Sequence, residues 1–544
     1  MSIKLLQNKW IFFSLLVIFS VGGILVRIHD FGKYPADINC DESMTAVEAM
    51  ALVENGTDHL GNSYPVYFDA WQRAQQNALY GYILAGFIKI FGISTIVVRL
   101  PMLFFSLLGI AALTWIAYML FSKEIALFCL IFIAINPWHI MLSRWGLESN
   151  IFPHFLILGL AFLCFSIKKG HTISLIAAMF FYGFSMYGYG VAFSFLPLFL
   201  LPVFIVLWHA KTFRFPTLLL ALLCFFAVSW PMLLIIPVNY FKIPTIAIGP
   251  ITIPLFDRTT RMSDILFFSE NFSAQFLGNI QYLWNMVVLQ KMDVWWNQLP
   301  TVGTYYKISL PFLLTGLGRI VLFIKKEIKQ RGWTPAAVCT MILLINFIAS
   351  LITGLVINDV NVTRMNHIYY PIILVTAYGI YWVCTKTKLM RAVIPICYGV
   401  YFVFFCYRYF YSEDRTFIEY TFDKGLEKSL QQAFEIPGKI CISTYQYRND
   451  FPITEINTIY LLKLPYRYYT GQMDEKDLLS SGYMEPYRDR FHYFDNLEAA
   501  YAENGENCTY LVNVRERDFF DQAAFRVSSH DFFSVAIPQS LNEE

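Results

Sequence analysis

The chain has 544 residues, 57% of them hydrophobic and 15% charged, with a mean hydropathy of +0.49. A soluble globular protein carries about 25% charged residues, so a set of soluble domains is excluded and a protein with many membrane spans is indicated. The formal net charge of +2 hides a division, because residues 412–544 hold 23 of the 39 acidic but only 13 of the 41 basic residues: a soluble acidic tail follows a lipid-embedded remainder. No basic stripe interleaved with aromatics stands out, which argues against nucleic acid as a partner and makes the lipid bilayer the first expected one.

A membrane span needs about 20 mainly apolar residues. Eleven stretches are read as spans: 10–28, 100–121, 125–141, 152–167, 172–188, 191–209, 215–238, 304–324, 333–356, 365–384 and 392–411. The first follows Lys4 and Lys9 in the manner of a signal sequence, but no small-x-small cleavage site follows Val26, so it reads as an uncleaved anchor. Lys and Arg concentrate in loops left in the cytoplasm. With the N-terminus inside, the inner loops carry Lys123, Lys168 and Lys169, Lys211 and Arg214, Lys325 to Arg331, and Lys386 to Arg391, and the alternation closes. It closes only if residues 76–91 form an interfacial helix on the outer surface rather than a span. Residues 29–99 and 239–303 then face outward together with the tail. Seven cysteines lie in apolar runs, where Cys behaves as a small hydrophobe. Cys441 and Cys508 in the tail could pair but are read as unpaired.

The first outer segment, YPADINCDESMTAVEAM, puts Asp37, Asp41 and Glu42 directly after the first span. Like charges at close quarters raise one another's pKa, as a general base requires; the same residues suit a helix N-terminus with Asp41 or Ser43 as cap. In the next outer turn Arg144 and Glu148 stand four apart, on one face if the segment is helical. Charges at a membrane edge are costly and point to function, although a self-neutralising pair is the competing reading. His139 and His154 read as satisfied interior residues. The run QKMDVWWNQLPTVGTYY supplies Lys291, Asp293, Trp295, Trp296 and Asn297, which suit a sugar face or a membrane interface. In NDVNVTRMNHIYYP, Asp359, Arg364 and His367 sit at the outer mouth of the tenth span, where an Arg can take a lipid phosphate by bidentate hydrogen bonds. Tyr369 and Tyr370 suit an interfacial belt. Walker A, G-x-G-x-x-G, H-E-x-x-H and Asp-x-Asp sequences do not occur. Without Asp-x-Asp the case for a metal-held diphosphate weakens, and Arg and Lys are left to neutralise a leaving phosphate.

In order and spacing these pieces resemble the GT-C superfamily of polyprenyl-phosphate-sugar-dependent glycosyltransferases, in particular glycosyltransferase family 39, the protein O-mannosyltransferase and aminoarabinose transferase branch. The resemblance rests on Asp41–Glu42 after the first span, Leu79 to Tyr82, Arg99 to Pro101, residues 136–150 and Asn361 to Arg364, and it covers about residues 10–410. It implies a GT-C-like polytopic α-helical membrane domain over 1–411 with about 11 transmembrane helices. A soluble α/β domain over 412–544 follows, with KICIST, NTIYLL and CTYLVNV read as short strands.

The implied activity is inverting transfer of a sugar from a polyprenyl-phosphate donor to a hydroxyl of a glycan, lipid or protein acceptor. It would occur on the outer face of a bacterial inner membrane, with no cofactor required and a divalent metal left open. Asp41 matches the family's catalytic acid, with Glu42 and Asp37 beside it. Glu148 falls at the second acidic position, where Asp is commoner. Arg364, then Arg144 and Lys291, are the expected donor-phosphate ligands, and Tyr80, Trp295, Trp296 and His367 the expected lining. Two rival classes are a transporter or flippase of lipid-linked sugars, disfavoured because the second half holds no repeat of the DE segment, and a non-catalytic scaffold, disfavoured by Asp41.

Overall fold

A computed structural model describes residues 7–69, 75–256, 272–291, 294–447, 451–483 and 485–542. Each of the expected eleven apolar stretches is helical over most of its length, and nine helices among the described residues have the length and composition of a span. In chain order the helices before the tail are α1 (Lys9–Ile28), α2 (Cys40–Asn55), α3 (Leu79–Phe91), α4 (Thr95–Leu120), α5 (Lys123–Ala134), α6 (Pro137–Leu142), α7 (Glu148–Lys169), α8 (Thr172–Ser185), α9 (Ala192–His209) and α10 (Phe215–Tyr240). They continue with α11 (Phe272–Leu283), α12 (Leu310–Arg331), α13 (Pro335–Val356), α14 (Tyr369–Lys386) and α15 (Met390–Tyr411).

Two of the expected stretches are not single unbroken helices, each for a local reason. The stretch 125–141 breaks at Ile135–Asn136, because Pro137 occupies the first turn of a new helix whose N-cap, the Asn136 side chain, accepts from His139 N at 3.0 Å. The stretch 172–188 stops as helix at Ser185 and gives way to a turn through Gly188 and Gly190. The expected interfacial segment is the 13-residue α3, too short to span. Elsewhere starts follow from caps: Ser94 for α4, Ser122 for α5, and Thr334 with Pro335 for α13. The bundle is centred on α7 and α14, whose apolar windows are 83% and 72% enclosed against 11% for α1.

Two short antiparallel ribbons decorate the end of the bundle where α1 finishes and α4 begins: β1 (Tyr67–Phe68) with β2 (Gln76–Asn77), and β3 (Ile246–Ile248) with β4 (Ile251–Ile253). The loops rich in Lys and Arg lie at the opposite helix ends.

The tail opens with helices α16 (Asp414–Thr421) and α17 (Leu426–Phe434) and then forms a five-stranded mixed sheet. Its strands are β5 (Lys439–Ser443), β6 (Phe491–Phe494), β7 (Cys508–Asn513), β8 (Phe525–His530) and β9 (Phe533–Pro538), in the spatial order β6-β5-β7-β9-β8. The first three neighbours run parallel, and β9 joins β7 and β8 antiparallel. NTIYLL, expected as a strand, belongs instead to helix α18 (Phe451–Leu461). Ile453, Ile456 and Tyr460 recur on one helical face and pack in a single core with Met44, Val47 and Met50 of α2. Cys441 and Cys508, expected to be unpaired, form a disulfide, because both project into the same small core on neighbouring strands.

Candidate active site

The site is built on the first turn of α2. The Asn39 side chain accepts from Asp41 N at 3.0 Å while Asn39 N donates to Glu42 Oε2 at 3.3 Å, a reciprocal capping box. The cap is therefore Asn39, not Asp41 or Ser43, and Asp41 falls in the first helical turn with its side chain only half-buried. The Gln76 side chain reaches back across this turn, donating to Thr45 Oγ1 at 2.8 Å and to the Asp41 carbonyl at 3.4 Å.

Glu42 leads a different life from its neighbour. It is completely buried, and Nε and Nη2 of Arg99 donate to its two oxygens at 2.9 Å each. Glu42 Oε1 also accepts from Gly146 N at 2.7 Å. The remaining Arg99 donors go to the carbonyls of Pro35 at 2.7 Å and Asp37 at 2.9 Å. Burying a carboxylate is costly unless a charged partner and further hydrogen bonds surround it, and this one has both. Glu42 thus ties α2, α4 and the 143–147 loop into one rigid corner. Gly146 fits there because a Cβ would strike the Tyr80 ring and hydroxyl. Tyr80, expected to line a sugar or prenyl path, is fully buried behind this corner with its hydroxyl donating to Val98 O at 2.6 Å.

The Asp37 carboxylate is hydrogen-bonded to the tail. Its Oδ2 accepts from Gly425 N at 2.8 Å and Glu427 N at 3.2 Å, capping the start of tail helix α17. Burial pushes its carboxyl up, and those two backbone N–H groups pull it back. Glu148 is buried at the start of α7 and accepts from Asn77 N. Asn77 neighbours Gln76 on β2, so one short ribbon contacts both the Asp41 turn and Glu148.

Arg144 and Glu148 do not form the expected helical pair, because residues 143–147 are non-helical. The Arg144 guanidinium is buried and donates to the carbonyls of Val26, Arg27 and Tyr34 at 3.3, 2.8 and 2.8 Å, with the Phe410 ring 5.0 Å away. It is a tie between three segments rather than a group facing an open site. His367 is likewise interior, packed against Phe195 and Phe152 at ring distances of 4.9 and 5.8 Å.

Beyond the 143–147 loop a network of neutral polar groups and indoles, most of them fully buried, joins the neighbouring segments. Trp296 Nε1 donates to Thr363 Oγ1 at 3.2 Å and Trp145 Nε1 to Asn297 Oδ1 at 3.2 Å. Asn366 Nδ2 donates to Asn150 Oδ1 at 2.9 Å, and Trp138 Nε1 to Asn366 Oδ1 at 2.8 Å. Trp295 stacks on Phe417 of α16 at 4.8 Å and 14°. Arg364 is partly exposed, donating to Asn358 O at 2.9 Å and lying 3.6 Å from the exposed Asp359 carboxylate. Lys291 is exposed; Asp293 lies outside the described residues. Among the described residues no group of three or more His, Cys, Asp or Glu is arranged to hold a metal ion.

Residues that sequence reasoning did not place in the site are Arg99, Gly146, Asn150, Thr363 and Asn366. Arg99 had a signal, since a lone Arg inside an apolar 26-residue helix requires a partner. His139 is satisfied as expected, meeting the Tyr370 hydroxyl at 3.0 Å with the buried Arg27 donating to its Nδ1 at 2.8 Å, whereas His154 meets the same hydroxyl through Nδ1 at 2.7 Å and leaves its buried Nε2 without a hydrogen bond among the described residues.

Residues 76–235 match a family model described as dolichyl-phosphate-mannose-protein mannosyltransferase. Among solved structures, ArnT from Cupriavidus metallidurans bound to undecaprenyl phosphate is similar with a TM-score of 0.54 at 12% identity, over 96% of this chain and 97% of that one. The archaeal oligosaccharyltransferase AglB from Archaeoglobus fulgidus, in complex with an inhibitory peptide and a dolichol-phosphate, is similar with a TM-score of 0.49 at 14% identity, over 94% and 70%. No curated protein sequence matches. The description of the family model agrees, over residues 76–235, with the glycosyltransferase class expected from the motifs, and the shared fold agrees with the expected multi-span architecture.

Proposed function

We propose that the chain transfers a sugar from a polyprenyl-phosphate donor to an acceptor hydroxyl, with Asp41 as general base. The observation that carries this reading is the split between two adjacent acids: Glu42 is locked by Arg99 and Gly146 N, whereas Asp41 is held on the same rigid turn with its side chain half-buried. A base must sit within hydrogen-bond reach of the proton it takes, and such a turn fixes a carboxylate at low entropic cost. As the acceptor oxygen bonds to the anomeric carbon on the face opposite the phosphate, its proton passes to Asp41, the bond from anomeric carbon to phosphate oxygen breaks, and polyprenyl phosphate leaves with the electron pair.

Arg364 is the first choice for the departing phosphate. Its present ion pair with the exposed Asp359 is of the weak, solvent-screened kind, so a phosphate can compete for it. Lys291, exposed four residues before Trp295, is the second choice, and Trp295 and Trp296 would line the sugar. Glu148 would act from the far side of the Gln76–Asn77 ribbon. The acceptor is a glycan, lipid or protein hydroxyl. The disulfide supports a tail outside the cytoplasm, since such bonds persist in oxidising compartments, and the placement of Lys and Arg at the opposite helix ends agrees with that orientation.

The test is transfer of radiolabelled sugar from a panel of polyprenyl-phosphate hexoses and pentoses to membrane acceptors by the purified full chain. Transfer from at least one donor is expected, with Arg364→Ala raising the donor KM about tenfold, equivalent to about 1.4 kcal/mol of lost binding. No transfer from any donor would overturn the reading.

A further inference from the structure

The tail makes closer contact with the candidate site than an appended domain needs to. Between Phe417 and Glu427 it touches four parts of the site. Phe417 stacks on Trp295. Thr421 O accepts from Asn39 Nδ2 at 3.1 Å. The fully buried Phe422 lies under the Arg99 guanidinium, 5.6 Å from its ring centroid, and packs edge-on to Trp145 at 5.4 Å. Gly425 N and Glu427 N donate to Asp37. Gly425 holds φ +96°, a conformation natural to glycine, and a Cβ there would strike the His530 carbonyl.

These contacts fall on residues that already hold the catalytic turn. Asn39 is its cap, Arg99 grips Glu42 and the Asp37 carbonyl, and Trp145 sits beside Gly146, whose N–H meets Glu42. We propose that residues 417–427 form a clasp that positions the first turn of α2, with Phe422 and Asp37 as positioning residues for Asp41. The proposal rests on the transferase reading for its kinetic consequence, but its structural content is independent of it. Phe422 fills the space between the Arg99 corner and the Trp145 loop, so removing it loosens both; Asp37 fixes the chain two residues before the cap. A catalytic group displaced by as little as about 1 Å can cost about a hundredfold in rate, so a contact that fixes the turn acts on kcat rather than on donor affinity.

The experiment uses the full chain in lipid nanodiscs with Phe422→Ala, Asp37→Ala and Asp37→Asn. The carboxamide oxygen of the Asn variant can still accept from Gly425 N and Glu427 N. Both Ala variants are expected to lower kcat about ten- to a hundredfold with donor KM little changed, and Asp37→Asn to recover most of the loss. Amide hydrogen exchange supplies a readout that needs no activity: residues 40–46 should exchange faster in both Ala variants and be restored in Asp37→Asn, while β5 and β7 keep their protection and Cys441 and Cys508 resist alkylation without reductant. Unchanged exchange at 40–46 would overturn the clasp. So would a loss of protection spread through the tail sheet, which would make both residues folding residues only. If the wild type transfers from no donor, the transferase reading falls, and the exchange measurement still decides the clasp.

Discussion

On one side of the 143–147 loop, Glu42 meets Arg99 in a buried bidentate pair and Gly146 N completes its acceptor set. On the other side Asn150, Asn297 and Asn366 are bridged by Thr363, Trp138, Trp145 and Trp296 with no charge among them. The first side fixes one carboxylate so that its neighbour has a defined position. The second is a buried, mutually hydrogen-bonded set of amides and indoles, with only Trp296 and Thr363 half-buried at its margin. Around the first turn of α2, Glu42, Arg99, Asp37 and Arg144 thus act as fasteners between segments.

Breaking the charged side should have the largest effect on stability. Arg99→Ala leaves Glu42 buried without a cation and is expected to cost about 3–5 kcal/mol, seen as a collapse of the thermal midpoint or loss of a monodisperse peak in detergent. A variant that purifies normally with an unchanged midpoint would mean that the pair does not hold the corner. The neutral side should respond less. Asn366→Ala removes the acceptor of Trp138 Nε1 and the donor to Asn150, for an expected loss of about 1–3 kcal/mol in the same assay. A loss equal to that of Arg99→Ala would erase the distinction between the two sides.

The smallest effect concerns an acid that, among the described residues, has no arginine in hydrogen-bond contact. Asp58 has its carboxyl pushed up to about 6 by burial and then by the nearby Glu48 charge, with Asn62 pulling it back. An acid whose folded value lies above its unfolded one favours the fold while protonated, and that contribution is lost as pH rises through the folded value. The thermal midpoint of Asp58→Asn relative to wild type should therefore shift in the variant's favour between pH 5 and pH 8, by on the order of 1 kcal/mol. No pH dependence of the difference would show that Asp58 titrates normally.

Much of the membrane fold was legible because apolar runs of span length leave few alternatives, and the two stretches that do not run as one unbroken helix turn on single local features, Pro137 after Asn136 and the glycines at 188 and 190. The tail's α/β character was legible, but NTIYLL was not, since a short apolar run carries no period of its own and its helix is decided by packing on α2. At the site, the DE pair and the segments around residues 144–148, 291–297 and 361–367 were visible as charge or aromatic clusters. Their individual roles were not, because whether Arg144 faces a ligand or three carbonyls depends on α1 and the 30–35 segment, more than a hundred residues away. Asp37 shows the same limit: its partner is Gly425, and no local pattern announces a bond across that distance.

The most direct measurement of the central claim is sugar transfer by Asp41→Asn, compared with wild type at matched expression and matched thermal midpoint. The account predicts a loss of about a hundredfold or more in a protein that folds normally, because the helical turn and its Glu42–Arg99 anchor remain intact. Transfer at the wild-type rate by a folded Asp41→Asn protein would contradict it.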